Sequence, residues 1–479
     1  MPISFWFFLY ILVLCLFAIR IFIRKDLTPP ARLAWIMVLI TVPYVGGVLY
    51  FLFGEARFGK KVQQKRKDIF EAMVKVGSDW TGNLKRIDSL KAPHDLIAGY
   101  ATSINGLAPI EKNQASLMKD SAATMKHLIR DIDGAKKHVH VLYFIWLSDN
   151  NGTAMAEALI RASKRGVICR VMIDGLGSRK FKRSKLWKQM KKAGVKTQVV
   201  LSLSNPIKTA LFSRIDLRNH RKITVIDNQI TYCGSQNCAD PEFQVKAKYA
   251  PWVDIMVRVT GPVVAQNQIL FATDWMYYHP EDSLLDFLEP APKAEANGLL
   301  AQIVADGPTI RRGSTSQLFT ALITSAKENL TISTPYFVPN TEIVSSLMAA
   351  AHRGVSVNLI LPARNDSWVV GATSRSHYHS LLESGVQLYE YTPGLLHAKT
   401  LTIDGEIALI GSSNLDIRSF DLNYENNILF YDATLTNSIY KRQKQYISDS
   451  NKILLTTVDH WSKPRRIWYN IVATMGPIL

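Results

Sequence analysis

Two short strings in this chain hold the residue types that phosphodiester chemistry needs. His220-Arg221-Lys222-Ile223-Thr224-Val225-Ile226-Asp227 is followed by Gly234-Ser235-Gln236-Asn237, and His397-Ala398-Lys399-Thr400-Leu401-Thr402-Ile403-Asp404 is followed by Gly411-Ser412-Ser413-Asn414. Both copies have the form H-x-K-x4-D, and in both the glycine of G-S-x-N stands fourteen residues after the histidine. A lysine neutralises an anionic phosphoryl oxygen, serine and asparagine donate hydrogen bonds to the others, and a neutral imidazole nitrogen attacks phosphorus. Such a cluster needs no metal or other cofactor. Transfer also needs an acid to protonate the departing alcohol, and one copy supplies only one histidine. Two copies facing one another supply both. A lone H-x-K is usually a solvated strand face and a lone G-S-x-N a common turn, but both motifs, twice, at equal spacing, are not a coincidence.

The elements around these strings have to bring them together. Side chains two apart on a strand share a face, so His220 stands beside Lys222 and His397 beside Lys399. Asp227-Asn228 and Asp404-Gly405 are turn formers, and each strand is expected to return as a hairpin that carries Ser235 and Asn237, or Ser412 and Asn414, back to the histidine and lysine. The candidate catalytic set is therefore His220, Lys222, Asp227, His397, Lys399 and Asp404, with Ser235, Asn237, Ser412 and Asn414 as candidate phosphate ligands. The two aspartates stand where a hairpin needs Asp in any case, so a structural role is expected of them.

The motifs lie in a longer internal repeat. Ala135-Lys136-Lys137 and a strand ending Tyr143-Phe144 recur as Ala326-Lys327 and a strand ending Tyr336-Phe337. A helical stretch then closes on Arg165-Gly166-Val167 in one half and Arg353-Gly354-Val355 in the other, each before an apolar strand, Ile168 to Ile173 and Val357 to Leu361. Strand, helix, strand is the βαβ pattern, and both halves are α/β units. The expected division is a membrane hairpin at 1–56, a basic juxtamembrane segment and linker at 57–115, α/β domains at 116–285 and 298–460, and an aromatic and basic tail at 461–479. A stretch with Pro280, Pro290 and Pro292 separates the halves.

Ile3 to Ile23 and Leu33 to Phe53 are apolar runs about long enough to cross ~30 Å of hydrocarbon, and the short Pro29-Pro30 connection predicts a two-helix hairpin. No Lys or Arg precedes the first run and no small-residue pattern follows it, which argues against a cleaved leader. Arg57, Lys60, Lys61, Lys65, Arg66 and Lys67 outnumber Arg24, Lys25 and Arg32 of the loop, so the positive-inside rule puts the body in the cytoplasm. Fifty-seven Lys and Arg against thirty-nine Asp and Glu leave +18, which calls for an anionic partner. The four cysteines show no zinc-ligand spacing and suit a reducing compartment.

The doubled H-x-K-x4-D and G-S-x-N strings are the signature of the phospholipase D superfamily, and within it the chain resembles bacterial cardiolipin synthases over nearly its whole length. Ala34-Trp35 through Pro43, Gly46 and Tyr50 to Gly54-Glu55 is similar to their membrane module, as are Thr334-Pro335-Tyr336-Phe337-Val338-Pro339 and Asn414-Leu415-Asp416-Ile417-Arg418-Ser419 to their sequences. The resemblance implies two phospholipase D-like α/β domains related by pseudo-twofold symmetry, placed at the bacterial inner membrane. It implies a cofactor-free transfer between two phosphatidylglycerols, His220 attacking phosphorus and His397 acting as the acid, although the strings alone allow the reverse. It also implies a carboxylate downstream of each motif to orient its histidine: Asp254, 34 residues after His220, and Glu425, 28 after His397. A hydrolase of phospholipid or nucleic acid could use the same residues. The run Arg179 to Lys196, with nine Lys or Arg in eighteen positions, suits a nucleic-acid backbone or an anionic lipid surface. The membrane segment favours lipid, so phosphatidylglycerol and anionic membrane lipids are the expected partners and nucleic acid is not.

Overall fold

The computed structural model describes residues 3–25, 27–55, 60–81, 90, 92–202, 214–288 and 292–474. Twenty strands occur among them. Those of the first half are β1 (Ile110–Leu117), β2 (His138–Tyr143), β3 (Ile168–Asp174), β4 (Lys196–Val200), β5 (Arg218–Asn219), β6 (Ile223–Ile226), β7 (Ile230–Gly234), β8 (Trp252–Val253) and β9 (Met256–Thr260). The second half has β10 (Leu299–Asp306), β11 (Asn329–Ser333), β12 (Phe337–Val338), β13 (Ser356–Pro362), β14 (Gln387–Tyr391), β15 (Leu395–Leu396), β16 (Thr400–Ile403), β17 (Ile407–Gly411), β18 (Leu415–Asp416), β19 (Asn423–Tyr431) and β20 (Ser450–Ile453).

One sheet runs through both halves in the order β20-β14-β13-β11-β16-β17-β19-β10-β1-β9-β7-β6-β2-β3-β4. Outward from the antiparallel β1–β10 junction the two sides repeat each other: β9, β7, β6, β2, β3, β4 on one, and β19, β17, β16, β11, β13, β14 on the other. That is the expected pseudo-twofold pair of α/β units. The repeated βαβ segments appear as parallel pairs β2–β3 and β11–β13. Their crossover helices, Asn150–Lys164 and Thr341–His352, start on Asp149 and Asn340, whose side chains accept from the Gly152 and Ile343 amides. They end before Gly166 and Gly354, both at φ +89°, a left-handed stop that a residue with a Cβ resists.

The core crosses the junction. Leu142, Ile223, Val225 and Val257 from one half join Ile303, Ile410, Ile428 and Ile439 from the other in a single buried cluster. Helix Val264–Tyr278 lies inside it, buried on every face from Val264 to Trp275, between the sheet and helix Lys60–Thr81. A helix with no solvated face has to be held by partners on all sides. The basic run forms helix Lys185–Lys192, which buries Trp187 and Met190 and turns its lysines outward. The C-terminal helix Lys463–Thr474 docks on helix Trp368–Ser376, with Trp468 stacked on Trp368 at 5.7 Å. Arg57, Pro290 and residues 475–479 lie outside the described residues.

At the other end of the chain, helix Ile3–Ile23 contains an 18-residue apolar span, Trp6–Ile23. The second apolar run departs from expectation: it forms two helices, Pro29–Thr41 and Pro43–Leu49, the latter extended by a π-turn over Tyr50–Gly54. Val42, at φ −138° and ψ 69°, is not helical, and Pro43 has no amide hydrogen to continue the ladder. The break separates two pieces that are each too short to cross a bilayer.

Candidate active site

Each candidate histidine follows a two-residue strand that crosses to the other half of the molecule. β5 pairs in parallel with the start of β19, Arg218 opposite Asn423 and Asn219 opposite Tyr424, and the His220 amide donates to the Tyr424 carbonyl at 2.9 Å. β15 pairs in the same way with β8, and the His397 amide donates to the Val253 carbonyl at 2.8 Å. The next residue along each partner strand is a carboxylate. Glu425 therefore meets His220, whose Nδ1 lies 3.0 and 2.9 Å from its two oxygens, and Asp254 meets His397, whose Nδ1 lies 2.6 Å from Oδ1. The pairing is crossed. Distance along the chain assigns Asp254 to His220 and Glu425 to His397, but the parallel bridges between the halves exchange them.

The serines are exchanged too, and their role differs from the expected one. The Ser235 hydroxyl donates to Asp254 at 2.6 Å, and the Ser412 hydroxyl donates to Glu425. A hydroxyl has one proton, and here it goes to a carboxylate, so these serines brace the histidine-orienting groups instead of donating to a phosphate. Their oxygens accept the Ile255 and Asn426 amides at 3.0 and 2.9 Å, locking each returning strand to its neighbour. Each relay thus runs serine, carboxylate, histidine: Ser235, Asp254, His397 in one and Ser412, Glu425, His220 in the other.

The lysines stand beside the histidines, although His220 to Lys222 and His397 to Lys399 lie between strands and not, as expected, within one. Lys222 Nζ donates to the His220 carbonyl and Lys399 Nζ to the His397 carbonyl, both at 2.7 Å, and both side chains are buried. Burial pushes the Lys222 ammonium down to about 8, partly opposed by Glu425 and Asp254. Burial and the charge of Lys222 push Lys399 down to about 7. Each lysine feels both carboxylates, so the two motifs share one cluster of charge. Burial lowers both imidazoles to about 4 despite their carboxylates. Burial alone would raise the carboxylates, but His397 and Lys399 hold Asp254 at about 2, and His220 and Lys222 hold Glu425 below its ordinary range. At neutral pH each imidazole is neutral with Nδ1–H on a carboxylate, which leaves Nε2 with a lone pair.

Asp227 and Asp404 do what a brace does. The Asp227 carboxylate accepts the amides of Lys136, Lys137 and His138 at 2.7, 2.7 and 2.8 Å. Asp404 accepts those of Lys327, Glu328 and Asn329 at 2.9, 2.9 and 2.8 Å. Each ties its hairpin turn to the start of the neighbouring strand. Asn237 accepts the Ile145 amide at 3.3 Å, and the Asn414 amide donates to Asp416 at 3.4 Å while its own oxygen is buried without a partner among the described residues.

Three buried charges were not singled out as site residues by sequence reasoning. Arg221 donates to the Glu425 carbonyl at 3.2 Å and to Asp274 at 2.8 Å, and Asp274 also takes Arg66 of the juxtamembrane helix at 2.7 Å. The second copy has Ala398 in place of Arg221, so this anchor belongs to one relay alone. Asp274 is the one charged residue in helix Val264–Tyr278, which was the available signal; Arg66 was read only as one of the basic residues that follow the membrane segment.

A family model described as "Cardiolipin synthase, PLD-like domain" matches residues 128–275 and 319–447, and one described as "Phospholipase_D-nuclease N-terminal" matches residues 7–55. "Cardiolipin synthase A" of Klebsiella pneumoniae (strain 342) is 34% identical over 477 residues, 97% of this chain and 95% of that protein. "Cardiolipin synthase A" of Proteus mirabilis (strain HI4320) is 33% identical over 472 residues, 95% and 94% respectively. The crystal structure of phosphatidylserine synthase from Haemophilus influenzae Rd KW20 covers 80% of this chain and 100% of its own, with a TM-score of 0.59 at 18% identity, a likeness of fold.

Proposed function

The chain belongs to the cardiolipin synthase family with paired phospholipase D-like domains, and from that membership we propose that it transfers a phosphatidyl group from one phosphatidylglycerol to another, giving cardiolipin and glycerol. His220 Nε2 forms a bond to phosphorus while the bond from phosphorus to the glycerol oxygen breaks, and His397 gives its proton to that oxygen. A phosphatidyl-histidine remains. A hydroxyl of the second phosphatidylglycerol then returns a proton to His397, its oxygen bonds to phosphorus, and the phosphorus–nitrogen bond breaks. Lys222 and Lys399, with Asn237 and Asn414, hold the phosphoryl oxygens. Seating an anion among two buried lysines raises the imidazole pKa values above those of the empty site, which brings His397 towards its acid form.

The observation that carries this reading is the crossed pair of relays: two imidazoles, each with Nδ1 committed to a carboxylate and Nε2 without a hydrogen-bond partner among the described residues, beside two buried lysines that share one field. Nucleophile and acid are both supplied without a cofactor. The body works at the cytoplasmic face of a bacterial inner membrane, where the anionic leaflet attracts the outward lysines of helix Lys185–Lys192. Purified protein incubated with phosphatidylglycerol alone tests the reaction. Cardiolipin plus glycerol is the expected product, and phosphatidic acid plus glycerol would mean hydrolysis instead.

A further inference from the structure

The broken second run folds back on itself. Trp35 and Tyr50 are fifteen residues apart and would be about 22 Å apart along one straight helix, yet their rings meet edge-on at 5.3 Å. A Cβ on Gly46 would lie 2.8 Å from the Val38 carbonyl oxygen, and one on Gly47 would lie 3.2 Å from the Phe17 ring, so the two glycines are what let the returning helix approach. The Tyr50 ring also packs on Phe17 at 5.8 Å. Glu55, at the end of the returning arm, accepts two hydrogen bonds from Arg20 at 2.6 and 2.8 Å and one from Tyr50 at 2.8 Å. Arg20 sits within one turn of the end of the first helix. Glu55 thus lies level with the exit of the first helix, and so on the same side as the 24–28 connection.

We propose that this module crosses the bilayer once and dips into it once: Ile3–Ile23 spans, and Pro29–Gly54 is a re-entrant wedge inserted in the leaflet on the side of the catalytic body. The outward arm has 13 residues and measures about 20 Å, enough to pass the middle of a ~30 Å core and too short to cross it. The occupant of its outer surface is the acyl region of that leaflet, because Leu33, Met37, Ile40, Tyr44, Val45 and Val48 are all exposed. The tip is built for such a place. Polar groups at the break need partners inside hydrocarbon: Tyr10 of the spanning helix donates to the Ile40 carbonyl in the last turn at 3.4 Å, and the Thr41 hydroxyl is satisfied by donating to the Met37 carbonyl at 2.9 Å.

This geometry removes a conflict in the charges. A two-span hairpin puts Arg24, Lys25 and Arg32 opposite the cluster that begins at Arg57, with basic residues on both faces. A wedge puts both groups on one face, and residues 1–5, ahead of the apolar span, hold no Lys or Arg. The topology deepens the proposed cytoplasmic placement and can be tested apart from it.

The test introduces one cysteine at a time, at Pro2, Thr28 or Gln63, into a full-length Cys15→Ser background whose remaining Cys169, Cys233 and Cys238 are buried, with that background as the unlabelled control, and applies a membrane-impermeant thiol reagent to intact cells and to inside-out vesicles. Cardiolipin formation by each variant reports that it is folded. Thr28 and Gln63 are expected to label together in inside-out vesicles and Pro2 in intact cells. Thr28 and Gln63 on opposite faces, with Pro2 alongside Gln63, would overturn the wedge and restore two spans. All three on the faces opposite to those expected would keep the wedge and overturn the cytoplasmic placement.

Discussion

Replacing Glu425 by Gln removes a charge while keeping the shape of a side chain that has no exposed surface. His220 Nδ1 lies 2.9 Å from the nearer oxygen, and the imidazole gains positive charge as Nε2 bonds to phosphorus. With an effective dielectric of roughly 20, a full charge pair at that distance is worth about 5–6 kcal/mol, and a partly developed one less. The expected loss is then of the order of 10²- to 10⁴-fold in the step that needs His220. A phosphatidyl ester of p-nitrophenol separates the steps, since its leaving group departs without an acid. A p-nitrophenol burst reports formation of the phosphatidyl-enzyme, and cardiolipin reports its transfer to phosphatidylglycerol. Crossed relays require Glu425→Gln to resemble His220→Asn and Asp254→Asn to resemble His397→Asn. The first pair should lose the burst, and the second should keep the burst and lose the transfer. If Glu425→Gln instead matched His397→Asn, the relays would follow the order of the chain and the reasoning from the parallel bridges would be wrong. A reversal of both pairs together would exchange the roles of nucleophile and acid and leave the crossing intact.

Two further outcomes follow from the same contacts. Asp227→Asn should cost roughly 1–3 kcal/mol of stability, because a charged acceptor of three backbone amides is lost, with little change in turnover per folded molecule; a thermal melt beside a kcat measurement checks this, and a large fall in kcat at unchanged stability would give Asp227 a chemical role. On the alkaline side the free-enzyme profile of kcat/KM against pH should fall through about 7 to 8 as Lys399 and then Lys222 lose their protons. Bound phosphodiester favours the charged lysines, so the alkaline limb of kcat should lie higher than that of kcat/KM, and coincident limbs would remove the lysines from substrate binding.

The chemistry was legible where it depends on short-range geometry. Asp at a hairpin turn, glycine closing a βαβ helix and a lysine two residues from its histidine are all properties of a few neighbouring residues, and Asp227, Asp404 and the His-Lys pairs stand together as expected, although the pairs sit between strands and not on a strand face. What was misread depends on pairing between distant segments. Asp254 and Glu425 were recognised as the carboxylates, but two-residue parallel bridges with no periodic signature decide which histidine each one meets. The serines were misassigned for the same reason, since a hydroxyl's acceptor cannot be chosen before the carboxylate beside it is known. Hydropathy measured the second apolar run correctly as about one span in length, but length does not distinguish a span from a wedge. The signals were Pro43 and the Gly46-Gly47 pair, which permit a break and a close return without requiring either.

The unequal spacing of the two carboxylates now has a location. From the G-S-x-N asparagine to the carboxylate there are seventeen residues in the first copy, Asn237 to Asp254, and eleven in the second, Asn414 to Glu425. The extra length lies in the loop before β8, which includes the short helix Gln244–Tyr249 and delivers Trp252 to the His397 ring at 4.6 Å, with Phe243 stacked behind it at 4.0 Å. His220 has a different neighbour, Phe144 edge-on at 5.0 Å, and its own anchor in Arg221, Asp274 and Arg66. The two relays are therefore alike in their reacting atoms and different in their supports. One imidazole is tied through a buried ion-pair chain to the helix that follows the membrane wedge, and the other lies tilted against Trp252 of β8, which is itself stacked on Phe243. Because each relay draws its histidine from one half and its carboxylate from the other, loosening the β1–β10 junction should weaken both steps together, while a change at Trp252 or Arg221 should weaken one.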